Sequence, residues 1–509
     1  MSFGPMGWRR LLVVVALSLI AAGCSTDLLQ GGDEPDEAAD SPGADTGGGG
    51  DADGDGDSGE VVDDGAPDGG PELTTRSIRL AIGTNWSGDP ADAGPASVGA
   101  RLVAGLLHEG LTAISADGTP KPGLVERWFV SDDRLQWTFV LPEGASDGLG
   151  GALTAGDVKA SFERLAERGP FDQLVVALGV VDGWNDFVAG DASEVAGFDA
   201  VDDLTLVITL AAPYEPILEL LAAPGYGVTG MTADGRIRTT GAYRATDDPN
   251  WLEAVDPTAV VDRIELVRSD GNGGALLAAG RVDFAVLASD DTGADVPGDV
   301  LRQPLDVRVG IAVRFDDAAA RLATLAALQA ASLARTVPNG SLDVSGTLEA
   351  APASLPGAVT VHVPAGELEP LGVEVAAQLQ AAGIEVSLIV LAPPDFAAAV
   401  ANGEATVFPM VSAGGGWSQS AGLAVADPGG ADDVFGVQAE ARAALVDAIL
   451  AEPDPAERAA LVNALERLLL EEGLLLPVAI FEVRVGVGED MNALRIRADG
   501  TLDLSLFTG

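Results

Sequence analysis

The sequence predicts an α/β protein of more than one lobe, and three observations carry that prediction. The chain has 509 residues, room for about three structural units at roughly 150 residues each. Strand-type alternation and helix-type periodicity follow one another along the chain instead of falling into separate blocks. One stretch, 359–391, runs strand, helix, strand, the order that makes parallel neighbours joined by a right-handed crossover.

The first element, 1–24, is an address. Arg9 and Arg10 precede the apolar run Leu11 to Ile20, which ends in Ala21-Ala22-Gly23-Cys24. A basic start, a short apolar stretch and small residues before a cut describe a secretory signal. The run is too short to span a bilayer, which takes about 20 apolar residues. The chain's one cysteine, placed after Ala-Ala-Gly, resembles the bacterial lipobox, so Cys24 is the expected lipidation site and the membrane the expected anchor. Ala21 stands where the lipobox usually has Leu or Val. The residues around the arginine pair do not complete a twin-arginine signal, which points to the general secretory route.

Residues 25–75 follow as an acidic Gly/Asp-rich stretch. Ser25 to Glu72 holds 16 acidic residues, no basic ones and 13 Gly. It cannot bury enough apolar surface to offset chain entropy, so a disordered, self-repelling tether is expected. Asp51, Asp53, Asp55 and Gly56 imitate the start of a calcium loop. Val62 stands where the bidentate Glu belongs, so the stretch reads as a spacer.

In the body, Ile78 to Ile82 is a strand. Gln136 to Leu141 alternates faces as a half-buried strand does, and Pro142-Glu143-Gly144 ends it. Thr154 can cap a helix with Asp157 three residues on and Val158, Phe162 and Leu165 on one face. Val359 to Val363 and Ile384 to Leu391 are strands around a helix with Val375 and Leu379 inward and Gly383 at its end. Asp454 can cap another helix with Pro455 first and Glu457 third. Leu461, Leu465 and Leu468 are its expected buried side, and the strand Pro477 to Val487 closes the body. Trp128 and Trp137 sit in apolar periodic segments and read as core.

Composition excludes several functions. With 78 acidic against 28 basic residues the formal charge is −50, and removing the tether's −16 and the +2 of Arg9 and Arg10 leaves −36 on residues 73–509. Nucleic acid is not an expected partner, because phosphate neutralisation needs clustered Lys and Arg. One Cys excludes a disulfide framework and a cysteine zinc cage. The two histidines, His108 and His362, cannot build a multi-histidine metal centre. Both lie in apolar stretches and read as structural, not as nickel ligands. Asp132-Asp133 and Asp202-Asp203 precede strands as turn residues do. No Gly-x-Ser-x-Gly elbow or Walker loop is present. No enzyme activity and no cofactor are expected. Arg236 and Arg238 flank Ile237 either as an anion-binding pair or as a solvated loop.

Four stretches then carry a resemblance. The first joins Leu107-His108-Glu109-Gly110-Leu111-Thr112, Asp117-Gly118, Pro122 to Trp128, Ser131-Asp132-Asp133, Trp137-Thr138-Phe139 and Leu153 to Val158. The second is Thr240-Gly241-Ala242-Tyr243. The third is Val261-Asp262-Arg263-Ile264 with Ala279-Gly280-Arg281-Val282-Asp283. The fourth is the 359–391 unit with Gly414-Gly415-Gly416-Trp417. In order and spacing they resemble the family 5 extracytoplasmic solute-binding proteins of ABC importers, the oligopeptide, dipeptide and nickel group.

That resemblance implies a two-lobed periplasmic-binding-protein-like α/β fold of type II. It would have mixed sheets flanked by helices, an extra subdomain in the first lobe and a hinge between lobes. The implied divisions are a first lobe over 76–305 with the subdomain at about 101–199, a second lobe over 306–477, and a C-terminal segment over 478–509 returning to the first. The implied function is capture of a small molecule or short peptide between the lobes, for delivery to the permease and ATPase subunits of an ABC transporter. The protein would be a monomer on the extracytoplasmic face. Asn85 and Trp86, just after the first strand, are the expected ligand contacts from the first lobe, and Tyr243 marks the family's glycine-tyrosine turn. Trp417, Ser418 and Gln419 are those expected from the second, where three glycines let the backbone approach a ligand. The family follows this tryptophan closely with an Asp that receives a peptide's amino terminus, whereas here Ser418, Gln419 and Ser420 follow. That difference, with a short Ala-rich segment at 311–357, leaves a second reading open: a non-transporting relative acting as a surface sensor or envelope interaction protein.

Overall fold

The computed structural model describes residues 76–504 apart from 84–87, 93–97, 116–118, 169–172, 233–235, 270, 288–295, 297, 338–339, 343–354, 367, 414–434, 438, 489–490, 492–493 and 498. The elements that position the site are, in chain order, strand β1 (Ser77–Ile82) and helix α1 (Val98–Leu107), then β2 (Arg127–Val130), β3 (Gln136–Val140) and α2 (Ala155–Arg164). Next come β4 (Phe198–Asp202), β5 (Thr205–Thr209), the short α3 (Ile217–Leu220), β6 (Tyr243–Ala245), β7 (Trp251–Ala254), β8 (Arg263–Arg268) and β9 (Phe284–Val286). The remainder are β10 (Val300–Val313), β11 (Ala358–Pro364), α4 (Glu369–Ala381), β12 (Glu385–Leu391), β13 (Val407–Ala413), α5 (Glu440–Ala451), α6 (Pro455–Glu471) and β14 (Leu475–Val487).

Local chemistry explains several of these. Thr154 and Asp157 close a reciprocal capping box on α2: Asp157 N donates to Thr154 Oγ1 at 3.2 Å and Thr154 N to Asp157 Oδ2 at 2.8 Å. Asp454 accepts from Ala456 N and Glu457 N and starts α6 behind Pro455. The buried stripe of α6 differs from the expected one. Leu465 is inside as expected, but the neighbours buried with it are Val462, Glu466, Leu469 and Leu470, while Leu461 and Leu468 lie only half-buried. An ion pair from Glu466 to Arg308 draws that face inward.

One long mixed sheet organises the body, in the order β6-β7-β8-β1-β9-β14-β10-β13-β11-β12. A separate antiparallel sheet, β2-β3-β5-β4, buries Trp137 and Phe139 of β3 against Phe162 of α2 and Phe198. Trp184 is fully buried in the same cluster, its Nε1 donating to Val175 O. Trp251 sits on β7 beneath the Arg263 guanidinium, 4.9 Å from the ring centre. A further cluster packs Phe408 and Met410 of β13 against Leu465 and Leu469 of α6.

Strands β10 and β14 are longer than their neighbours because each serves both halves of the long sheet. The N-terminal part of β10, Val300 to Pro304, pairs with Gly486 to Glu482 of β14, and β14 there also pairs with β9. Beyond a register shift between Pro304 and Arg308, β10 pairs with Ile480 to Leu475 of β14 and with β13. Such a bulge bends and twists a strand pair. It stands where the two halves of the sheet meet.

Candidate functional site

Strand direction fixes where the two halves offer their loops. β1 runs parallel to β9, with Leu80 opposite Phe284 and Ala81 opposite Ala285, and β9 pairs Val286 with Val485. The carboxyl end of β1 therefore points along β14 toward the bulge. β13 approaches from the other side, its first residue Val407 opposite Val313 and its last, Ala413, opposite Val307. β8, parallel to β1, and β11, parallel to β13, point the same ways. Carboxyl ends of parallel strands from both halves thus converge on the β10–β14 crossing. In open α/β sheets, ligands bind in the crevice outside such ends, at a switch point in the topology.

The loop after β1 is held at both ends. Ile82 O accepts from Ser269 N at 2.7 Å and from Ser269 Oγ at 2.9 Å. Past the loop, His108 Nε2 lies 2.8 Å from Gly88 O, and the acceptor there requires the proton on Nε2. Asp89 takes a fork from Arg164, at 2.6 and 3.0 Å, and accepts from Ala91 N at 2.9 Å. Gly83, just past the strand, faces open space: a Cβ built there would meet nothing within 4 Å. Asn85 and Trp86 fall between these pins and lie outside the described residues, as do Trp417, Ser418 and Gln419 beyond Ala413. Cys24 also lies outside them. Tyr243 is described: it is buried in β6, and its hydroxyl donates to Val261 O at 3.0 Å, which occupies it inside the core.

Gly241, two residues earlier, explains the glycine-tyrosine turn. Its N donates to Leu107 O, and a Cβ there would lie 2.5 Å from Leu106 O and 2.7 Å from His108 N. Only glycine lets this turn press on the end of α1 and so on the His108 pin. Asp283, the last residue of the Gly280-Arg281-Val282-Asp283 run, takes Arg79 N at 2.7 Å and Arg79 Nη2 at 2.8 Å, tying β9 to β1.

At the crossing, Arg308 is paired with buried Glu466 at 3.0 Å and Arg302 with Glu482 at 2.9 Å. Arg238 is neither a free anion site nor a solvated loop. Its Nε donates to Asp147 at 2.7 Å, its Nη1 to Asp157 at 2.6 Å and its Nη2 to Ala152 O. Burial alone would raise both aspartates, but the hydrogen bonds they accept, including those from Arg238, outweigh it and hold both below the usual carboxylate range. Among the described residues no group of three or more His, Cys, Asp or Glu side chains could hold a metal ion, and no helix is long and apolar enough to cross a membrane.

Burial pushes His108 down to about 4, against the hydrogen bond to Gly88 O that favours its charged form. The unfolded chain therefore binds the proton first, and stability falls as pH drops from about 6.5 to 4, by about 3 kcal/mol for this group. Urea unfolding of the parent and of His108→Gln, which keeps an N–H donor, should differ in slope across that window by this amount, the contributions of His362, Glu109 and Glu219 being common to both. An unchanged slope in the variant would contradict this role. Asp89, Asp147 and Asp157, all lowered, give up their contributions only below the window.

Residues 119–294 match the model of the bacterial extracellular solute-binding proteins, family 5 middle. That segment of the chain is similar to family 5 of the bacterial extracellular solute-binding proteins. Among curated relatives, a dipeptide-binding protein of Lactococcus lactis is 26% identical over 216 residues, covering 37% of this chain and 39% of that one. The periplasmic oligopeptide-binding protein OppA of Salmonella typhimurium is 31% identical over 170 residues, 31% of this chain and 30% of that one. The chain thus spans well under half the length of these relatives. In fold the likeness runs further. The unliganded open form of the periplasmic murein tripeptide binding protein MppA superposes with a TM-score of 0.66 at 18% identity, over 86% of this chain and 97% of that one. NikA from Brucella suis, in complex with Fe(III)-EDTA, gives 0.62 at 18% identity, over 84% and 99%. The body has the mixed α/β fold of the periplasmic binding proteins, with the small β2-β3-β5-β4 sheet set into its first half.

Proposed function

We propose that the protein captures a short peptide in the crevice at the β10–β14 crossing and passes it to an ABC permease driven by its ATPase partner. The observation that carries this reading is the convergence of the carboxyl ends of β1 and β13 on the crossing, and in the sequence each strand is followed four residues on by a tryptophan, Trp86 and Trp417. Tryptophans with amide and hydroxyl residues next to them in sequence, Asn85, Ser418 and Gln419, suit a ligand with an apolar body and a few polar groups. The two lobes would be 76–305 with 478–509, and 306–477, parting at the bulge. A ligand that touches both shifts them toward closure by its differential affinity for the closed state. Peptides are named as ligands in several of the relatives. The −36 of the body favours neutral or cationic peptides over anionic ones. Cys24 would carry the lipid that holds the protein outside the membrane, and the protein acts as a binder without catalysis.

Calorimetry of the Cys24→Ser chain with pools of di- to pentapeptides tests this. One saturable site is expected, with Trp86→Ala and Trp417→Ala each weakening it about 10–100-fold, as loss of an aromatic anchor does. No saturable peptide binding would overturn the reading. The absence of an acid after Trp417 favours a second one, a non-transporting sensor of the same fold; binding without stimulation of the transporter's ATPase would select it.

A further inference from the structure

The two halves meet in a second place, away from the strand crossing. α3, which packs with the small sheet of the first half, lies against the junction of α5 and α6, which packs with β13 of the second. Glu219 of α3 is hydrogen-bonded and ion-paired to Arg458 of α6. Glu215 N donates to Leu450 O at 3.2 Å, and the Leu450 side chain touches the apolar clusters of both halves. Arg458 is fixed from its own side by donating to Glu452 O at 2.6 Å. Glu215 is fixed by Arg134, whose backbone sits at φ +57°, a left-handed conformation rare for a residue with a side chain.

This contact is polar, buried and incompletely satisfied. Arg458 and Glu215 side chains are 4% exposed. Glu215 Oε1 and Glu219 Oε2 are buried and accept no hydrogen bond from the described residues. Burial raises the Glu219 carboxyl above its usual range, outweighing the pull of Arg458, and the like charge of Glu215 adds to it. Carboxylate oxygens left without donors lose hydration that they would regain if the halves parted. Breaking a buried pair by removing one partner is more harmful than replacing both with apolar groups.

We propose that the Glu219–Arg458 pair, with Glu215 and Leu450 beside it, is a clasp between the two halves that sets how readily they part. It rests on the reading that the halves close around a ligand. Double electron–electron resonance tests it in the full chain carrying Cys24→Ser, with labels at V201C and V373C, two exposed positions, one in each half. In the unliganded protein, Arg458→Met and the near-isosteric Glu219→Gln should each raise the longer-distance population several-fold, and Glu219→Leu with Arg458→Met together should bring it back toward the parent. Distances that superimpose on the parent's in every variant would overturn the clasp, whether or not the variants are less stable. The parent mixed with a pool of alanine di- and tripeptides reports on closure separately: a ligand-induced shortening alongside unresponsive variants removes the clasp and leaves the closure reading standing.

Discussion

Glu466→Ala is expected to lower the free energy of unfolding by about 1.5–3 kcal/mol, because it removes the buried carboxylate to which the half-buried Arg308 donates. The pair joins the buried face of α6 to the residue at which the β10 register resumes, with both carboxylate oxygens 3.0 Å from Arg308 Nη1. Arg308 faces Ile480 on one side and Ser412 on the other, so its displacement would loosen both neighbours of the crossing. Replacing the pair together, Arg308→Met with Glu466→Leu, should recover most of the loss, since an apolar pair carries no desolvation cost. Guanidinium unfolding of the three variants measures both effects. A loss under about 1 kcal/mol for Glu466→Ala would put the pair in the class of exposed ion pairs, which contribute little.

Gly241→Ala should cost about 3 kcal/mol or more, a larger penalty than most glycine replacements, because the added carbon meets backbone and not a movable side chain. Leu106 O, 2.5 Å away, and His108 N, 2.7 Å away, belong to the end of α1 and cannot yield without shifting the pin on Gly88 O. The same substitution is therefore expected to weaken peptide binding as well as stability. Thermal unfolding and calorimetry on one preparation would separate the two. A variant as stable as the parent would mean that the turn can retreat from α1.

What was legible in the sequence was local. The Thr154–Asp157 box, the Asp454 cap and the strand-helix-strand unit of β11, α4 and β12 depend on residues a few positions apart, and the structure has all three. The crossing was not legible. β10 and β14 look like ordinary strands, and nothing in their periodicity tells that each serves two halves of one sheet. The partners that fix the site are equally remote in sequence. Glu466 lies 158 residues from Arg308, and Glu219 lies 239 from Arg458, so neither pair leaves a local pattern. A buried Glu at 466 reads as a break in an apolar stripe until Arg308 is seen opposite. Tyr243, chosen from its motif, is held in the core, while the glycine two residues before it governs the approach to α1. The contact of His108 with Gly88 O, which holds the chain just past β1, emerges only from the fold.

The shared crevice is tested most directly by hydrogen–deuterium exchange of the Cys24→Ser chain, with and without a saturating pool of di- and tripeptides. Added peptide should slow exchange together at 83–91, after β1, and at 411–420, at the end of β13, with the β10–β14 crossing protected between them. Protection confined to one of these flanks, or found only elsewhere on the molecule, would contradict a ligand held between the two halves.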